Sequence, residues 1–161
     1  MTLILDGYNV LHASGVFGDD RGPRGFEKSR LALLDTLADL LGDAAADTIV
    51  VFDAANAPDG LPARLNHAGL RVWFAREYPD ADALIEELVE ADRAPTSLTV
   101  VSSDRRLQVA ARRRRAKAVS SEEWLADMRA RQRASRRRPD SKPPEPSSPE
   151  DVDRWMRYFD L

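Results

Sequence analysis

The sequence predicts an α/β domain built on a mostly parallel sheet with helices on both faces, and three observations predict it. Short unbroken apolar runs at Leu3–Leu5, Ile49–Phe52, Leu70–Phe74 and Leu98–Val101 alternate with segments whose apolar residues recur at helical spacing. A parallel crossover needs an intervening helix, which covers the sheet, so such strands are apolar throughout rather than on one side only. Three of the runs also lead into an aspartate, at Asp6, Asp53 and Asp104. Ligands of open α/β sheets bind beyond the carboxyl ends of the strands, so these distant side chains are expected to converge there.

Taken in order, the first strand ends at Asp6-Gly7, which reads as a tight loop. Leu31, Leu34, Leu37, Ala38 and Leu41 form the inner stripe of a helix over Phe26–Leu41, stopped by Gly42. After Asp53, an Ala/Pro/Gly-rich loop to Gly60 leads to a short helix near Leu61–Ala68 and then to the third strand. Asp80 caps a helix through Glu90, with Ala81, Leu84, Ile85, Leu88 and Val89 inward. The fourth strand reaches Ser102-Ser103-Asp104 and is followed by a helix over Arg105–Arg114 and a short strand at Ala116–Val119. A last helix begins near Ser121, with Glu122 and Glu123 in its first turn.

The chain's 161 residues suit one compact domain, 1–130, with an appendage. Residues 131–150 are a basic to Pro/Ser-rich linker, expected to be disordered from Arg136 onward because it has too little apolar material to pack. In the final segment, 151–161, Val152, Trp155, Met156 and Phe159 line one side of a short helix that must dock, either on its own domain or on a protein partner. No apolar run approaches a membrane span and the start has no signal-peptide pattern, so no membrane partner and a cytoplasmic location are expected. Absence of cysteine excludes disulfides and thiolate metal sites, and two histidines are too few for a histidine-rich centre. Any metal should therefore be held by oxygen and be magnesium or manganese.

The formal net charge of −3 conceals a division along the chain. Residues 1–104 carry 8 basic and 18 acidic side chains, whereas residues 105–138 carry 13 and 3. The first part is suited to cations and the second to a polyanion. Arg105, Arg106, Arg112 and Arg113, with Arg114, Arg115 and Lys117, follow the fourth strand and are candidates for gripping the phosphates of a nucleic-acid backbone without reading bases. A solubilising helix face is the alternative. Tyr78, in the Glu77-Tyr78-Pro79-Asp80 loop, is a candidate for stacking a base.

The acidic candidates are Asp6, Asn9, Asp82, Glu86 and Asp104, with Asp53 nearby. Asp82 and Glu86, four apart, share a helix face. Carboxylates crowded together raise one another's pKa unless a cation neutralises them. Bound magnesium removes that cost and can polarise a phosphodiester and activate water. Taken singly, Asp53 and Asp104 can also be read as helix caps, Asp82 and Glu86 as solvated residues, and Asn9 as a turn residue; their conjunction at the ligand ends of one sheet carries the argument.

Asp6-Gly7-Tyr8-Asn9 after an apolar strand, the strand into Phe52-Asp53, Asp80-Ala81-Asp82-Ala83-Leu84-Ile85-Glu86, Val100-Val101-Ser102-Ser103-Asp104, and Val119-Ser120-Ser121-Glu122-Glu123-Trp124 occur in that order. Over about residues 2–130 the chain resembles the YacP-like branch of the NYN domains, within the PIN-like nuclease group. The resemblance implies a Rossmann-like, three-layer α/β/α PIN-like fold and a metal-dependent ribonuclease, with an endonuclease acting on messenger RNA at the ribosome among its relatives. It implies Asp6, Asp82 and Asp104 as metal ligands, Glu86 as an outer or alternative ligand, Asn9 orienting Asp6 or touching substrate, and Asp53 supporting the site. Related proteins commonly have glycine where this chain has Arg115. The alternatives are a noncatalytic RNA- or ribosome-binding module of the same fold, and a metal-dependent phosphatase of small phosphoesters, which the arginine excess disfavours. No P-loop is present, which argues against ATP use.

Overall fold

Two layers of apolar side chains, one on each face of a single sheet, account for the unbroken apolar runs. The computed structural model describes residues 1–15, 23–55, 57 and 60–137. Six strands, β1 (Thr2–Asp6), β2 (Thr48–Phe52), β3 (Arg64–His67), β4 (Leu70–Phe74), β5 (Leu98–Val101) and β6 (Lys117–Val119), lie in the order β3-β4-β2-β1-β5-β6. All neighbours are parallel except β3 and β4. Side chains alternate across a strand. Leu5, Val50, Phe52, Val72 and Phe74 therefore meet helices α1 (Gly7–Ser14), α2 (Pro23–Leu41) and α5 (Ser121–Arg137) through Val10, Leu11, Leu33, Leu37, Trp124 and Leu125. Ile4, Ile49, Val51, Leu98 and Val100 meet α3 (Ala81–Ala91) and α4 (Arg105–Arg113) through Leu84, Ile85, Val89, Leu107 and Ala111 on the other face. The result is the expected three-layer α/β/α arrangement.

From β1 the chain builds outward first to β2 and then, on the other side, to β5. The order reverses between β1 and β5, which opens a crevice at their carboxyl ends, where Asp6 and Ser102–Asp104 stand.

Four local expectations need correction. The strand ending at Asp6 does not enter a loop: α1 starts at Gly7 itself. The glycine serves close packing rather than a turn, because a Cβ there would meet the Phe52 ring and lie 2.8 Å from the Val51 carbonyl oxygen. Nor is there a helix at Leu61–Ala68. Arg64–His67 is an antiparallel strand, joined to β4 by Ala68-Gly69, whose φ angles of 50° and 92° are both left-handed, as hairpin turns require. In α2 the buried stripe comprises Ser29, Arg30, Leu33, Leu34 and Leu37, while Leu31 is 43% exposed. Arg30, 3% exposed, lies over the Phe52 and Phe74 rings, so an aromatic lining accepts a cation where the hydropathy pattern places leucine. Finally, α5 continues to Arg137, so Arg136 and Arg137, expected to be disordered, are helical: Ala, Gln and Arg favour helix and proline first appears at Pro139.

Arg115 has a φ of 61°, the left-handed conformation that glycine adopts without a Cβ penalty. The chain divides into two compact units, Met1–Arg129 and Ala130–Leu161. The rest of the expected linker and the Val152–Phe159 helix lie outside the described residues. Among the described residues no helix is long and apolar enough to cross a membrane.

Candidate active site

Asp6 is the last residue of β1, and its position in the sheet buries it to 8% exposure. The fully buried Ser102 hydroxyl donates to Asp6 Oδ2 at 2.8 Å and accepts from the Asp104 backbone N–H at 3.0 Å. One serine thus ties the end of β1 to the turn after β5. Asp104 in turn caps α4, accepting from the Arg106 N–H at 2.8 Å. Asp82 enters from the first turn of α3 and shares a hydrogen bond with Asp104.

Two further acids fix the approach of α3. Asp53, just beyond β2, accepts from the Ala81 N–H at 2.5 Å, and Asp80 caps the helix by accepting from the Ala83 N–H at 2.8 Å. The cap explains why the helix starts where it does; the Asp53 bond explains why Asp82 sits beside β1.

The electrostatics reflect the crowding. Burial pushes the Asp6 carboxyl up to about 6, with Ser102 pulling down and the charges of Asp104 and Asp53 pushing up further. Asp82 is pushed up to about 7 by burial, by its hydrogen bond with Asp104 and by the charges of Asp6, Asp104 and Asp80. In the metal-free chain an acid so raised holds its proton when the unfolded chain has lost it, so stability falls as pH rises from about 4, the unfolded value, to about 7. Asp82→Asn is accordingly expected to raise the melting temperature of the metal-free protein by more at pH 8 than at pH 5. Equal shifts at both pH values, in thermal melts with chelator present, would contradict a raised Asp82.

The structure thus brings Asp6, Asp82 and Asp104 together, with Asp53 behind them. Asn9 does two things: its backbone N–H hydrogen-bonds Asp6, and its side-chain oxygen accepts from the Ser103 N–H at 2.9 Å and from the Ser121 hydroxyl, joining α1, the β5 turn and the start of α5. Glu86 is ion-paired with Arg106 Nε. Arg106 was expected on phosphates, but it faces the acids, with Nη1 3.3 Å from Asp80 Oδ2 and 4.0 Å from Asp82 Oδ2. Arg105, Arg112 and Arg113 are exposed. The last two sit at the far end of α4, about 12 Å along its axis from Asp104. Arg114 is structural, its guanidinium donating to the carbonyl oxygens of Asp92 and Val89 at the end of α3. Tyr78 is apart from the acids: its hydroxyl donates to Glu87, and it lines a cavity of about 240 Å³ with Arg64, Trp73, Arg76 and Glu77.

The sequence reading missed Ser102 and the role of Arg106. A serine at a strand end two residues before an aspartate was the available signal for the first; nothing local signals the second, since it depends on how α4 packs on α3. Among the described residues, no three His, Cys, Asp or Glu side chains are so arranged that they could hold a metal ion as they stand. Asp6 instead accepts from Ser102, Asp82 shares a hydrogen bond with Asp104, and Glu86 is ion-paired with Arg106. In donor chemistry the set does fit a divalent cation, since Asp6, Asp82 and Asp104 are hard oxygen donors whose mutual repulsion a cation would relieve.

The model of the YacP-like NYN domain family matches residues 3–156. Among solved structures, Rae1 (YacP) from Bacillus subtilis is similar at 29% identity and a TM-score of 0.67, over 85% of this chain and 79% of that one. A mutant of the same protein with leucine in place of a tryptophan gives 28% identity and a TM-score of 0.64, over 85% and 81%. No curated protein matches the chain.

Proposed function

Since the chain belongs to the YacP-like NYN domain family, a nuclease-type PIN-like group, we propose that it is a cytoplasmic metal-dependent endoribonuclease that cuts messenger RNA, with the ribosome as a partner. The observation that carries the catalytic part is the meeting of Asp6, Asp82 and Asp104 at the crevice between β1 and β5. The messenger RNA and ribosome assignments rest on the family resemblance.

Asp6, Asp82 and Asp104 would hold magnesium or manganese. Bound there, the ion would polarise the scissile phosphodiester and lower the pKa of an attacking water. The chain's own residues do the positioning. Ser102 keeps Asp6 and the Asp104 turn in register, Asp53 anchors the helix that carries Asp82, and Asn9 pins the turn after β5 to α1 and α5. The exposed Arg105, Arg112 and Arg113 would grip the RNA backbone on either side of the scissile bond. Tyr78, which lines its cavity, would stack a base.

The test separates cutting from holding. Single-stranded, structured and ribosome-bound RNAs are expected to be cleaved internally with magnesium or manganese, and chelation should stop cleavage while sparing binding. An Arg112→Glu, Arg113→Glu double variant is expected to weaken binding across sequences and to flatten its salt dependence, each lost phosphate contact removing about one unit of slope. Binding that survives chelation, with no product under any ion, would leave the chain a noncatalytic RNA-binding module.

A further inference from the structure

The carboxylates at the start of α3 form two sets. Asp82 turns toward Asp6 and Asp104, while Asp80 and Glu86 turn toward the guanidinium of Arg106, which enters from the first turn of α4. Arg106 has Nη1 3.3 Å from Asp80 and 4.0 Å from Asp82, with Nε against Glu86. A guanidinium is planar, always charged and offers several donors at once, so one side chain compensates acids from two turns of a helix.

We propose that Arg106 occupies the place of a second divalent cation, so that the site takes one ion, bound by Asp6, Asp82 and Asp104. This rests on the metal-dependent reading above. Two-metal nuclease sites place their ions about 3.5–4 Å apart, with a carboxylate between them and further ligands on the outer side of each. Asp82 is the carboxylate between the two sets, and Glu86 is the acid that an outer ion would need. Its Oε1 is ion-paired with a permanent positive charge, and a dication brought beside it would meet the guanidinium at close range. Arg106 is thus a positioning residue: it neutralises the outer acids, leaves the inner three for a single cation, and ties α4 to α3.

The experiment is a titration of the full-length chain with manganese, counting bound ions by electron paramagnetic resonance and measuring affinity by calorimetry. The wild-type chain is expected to bind one ion. Arg106→Gln, whose residue is half-exposed and so dispensable for the core, is expected to bind a second ion or to bind the first on the order of tenfold more tightly, the effect of one like charge removed from a partly exposed site. Arg93→Gln, exposed and outside the site, serves as the control for loss of a positive charge. Two ions on the wild-type chain would overturn the proposal and leave the metal-dependent reading standing; so would one ion held with the same affinity by the wild-type and Arg106→Gln chains. A wild-type chain that binds no manganese would overturn the metal-dependent reading itself.

Discussion

Asparagine in place of Asp6 or Asp104 is expected to cut the rate of RNA cleavage by about 1,000-fold while leaving the fold intact. Metal-assisted stabilisation of the transition state is worth several kcal/mol, and each 1.4 kcal/mol is a factor of ten in rate. The structure makes the two substitutions informative because neither residue's structural role needs its charge. Asp104 caps α4 by accepting from the Arg106 N–H, and asparagine caps helices as well as aspartate does. Asp6 accepts from Ser102, which the asparagine oxygen also permits, and the buried site already disfavours the ionised carboxyl. Loss of activity without a lowered melting temperature therefore points to chemistry rather than folding. If either variant keeps a tenth or more of wild-type cleavage under saturating magnesium, its carboxylate is not a ligand of a required ion.

The second large effect falls on stability. Gly7→Ala is expected to destabilise the protein by about 2–3 kcal/mol, the cost of overpacking a tight core, and to lower the melting temperature by about 5–10 °C. The added Cβ would run into the Phe52 ring and come within 2.8 Å of the Val51 carbonyl. Neither can retreat. Phe52 is fully buried, stacked on Phe74 with centroids 5.9 Å apart and edge-on to Tyr8 at 5.1 Å, while Val51 pairs with Asp6 and Trp73 in the middle of the sheet. Any relief must come from α1 moving outward, which would shift Asn9 and the turn it pins. Activity should therefore fall together with stability in this variant, unlike the Asp6 and Asp104 substitutions. A melting temperature within a degree of wild type would show that the helix has room to move.

Some of this was visible in the order of residues because it is local. Capping of α3 by Asp80 and of α4 by Asp104 needs only neighbouring backbone N–H groups; the first appears as read, and the second is the alternative reading of Asp104, present together with its place in the site. The α2 stripe failed for the opposite reason: in a helix with leucines at 31, 33, 34 and 37, spacing permits more than one buried face, and the ring pair Phe52–Phe74 chose the one bearing Arg30. The β3–β4 hairpin was missed because Ala68-Gly69 lacks the asparagine or aspartate that usually marks such a turn; Asn66 lies two positions earlier and supports it from the strand by accepting from the Gly69 N–H.

Hydrophobic periodicity and helix capping act over a few residues, so the class of sheet, the strand ends at which acids collect and the residue types suited to a hard cation are all legible in the order of residues. Which acids share a charge field, and which are already compensated, is set by how the helices pack on the sheet. Ser102 joins Asp6 to the Asp104 turn, and Arg106 reaches Glu86 across two helices, through contacts spanning 96 and 20 positions of chain. Coulomb energy depends on separation in space, and no spacing along the chain reports it.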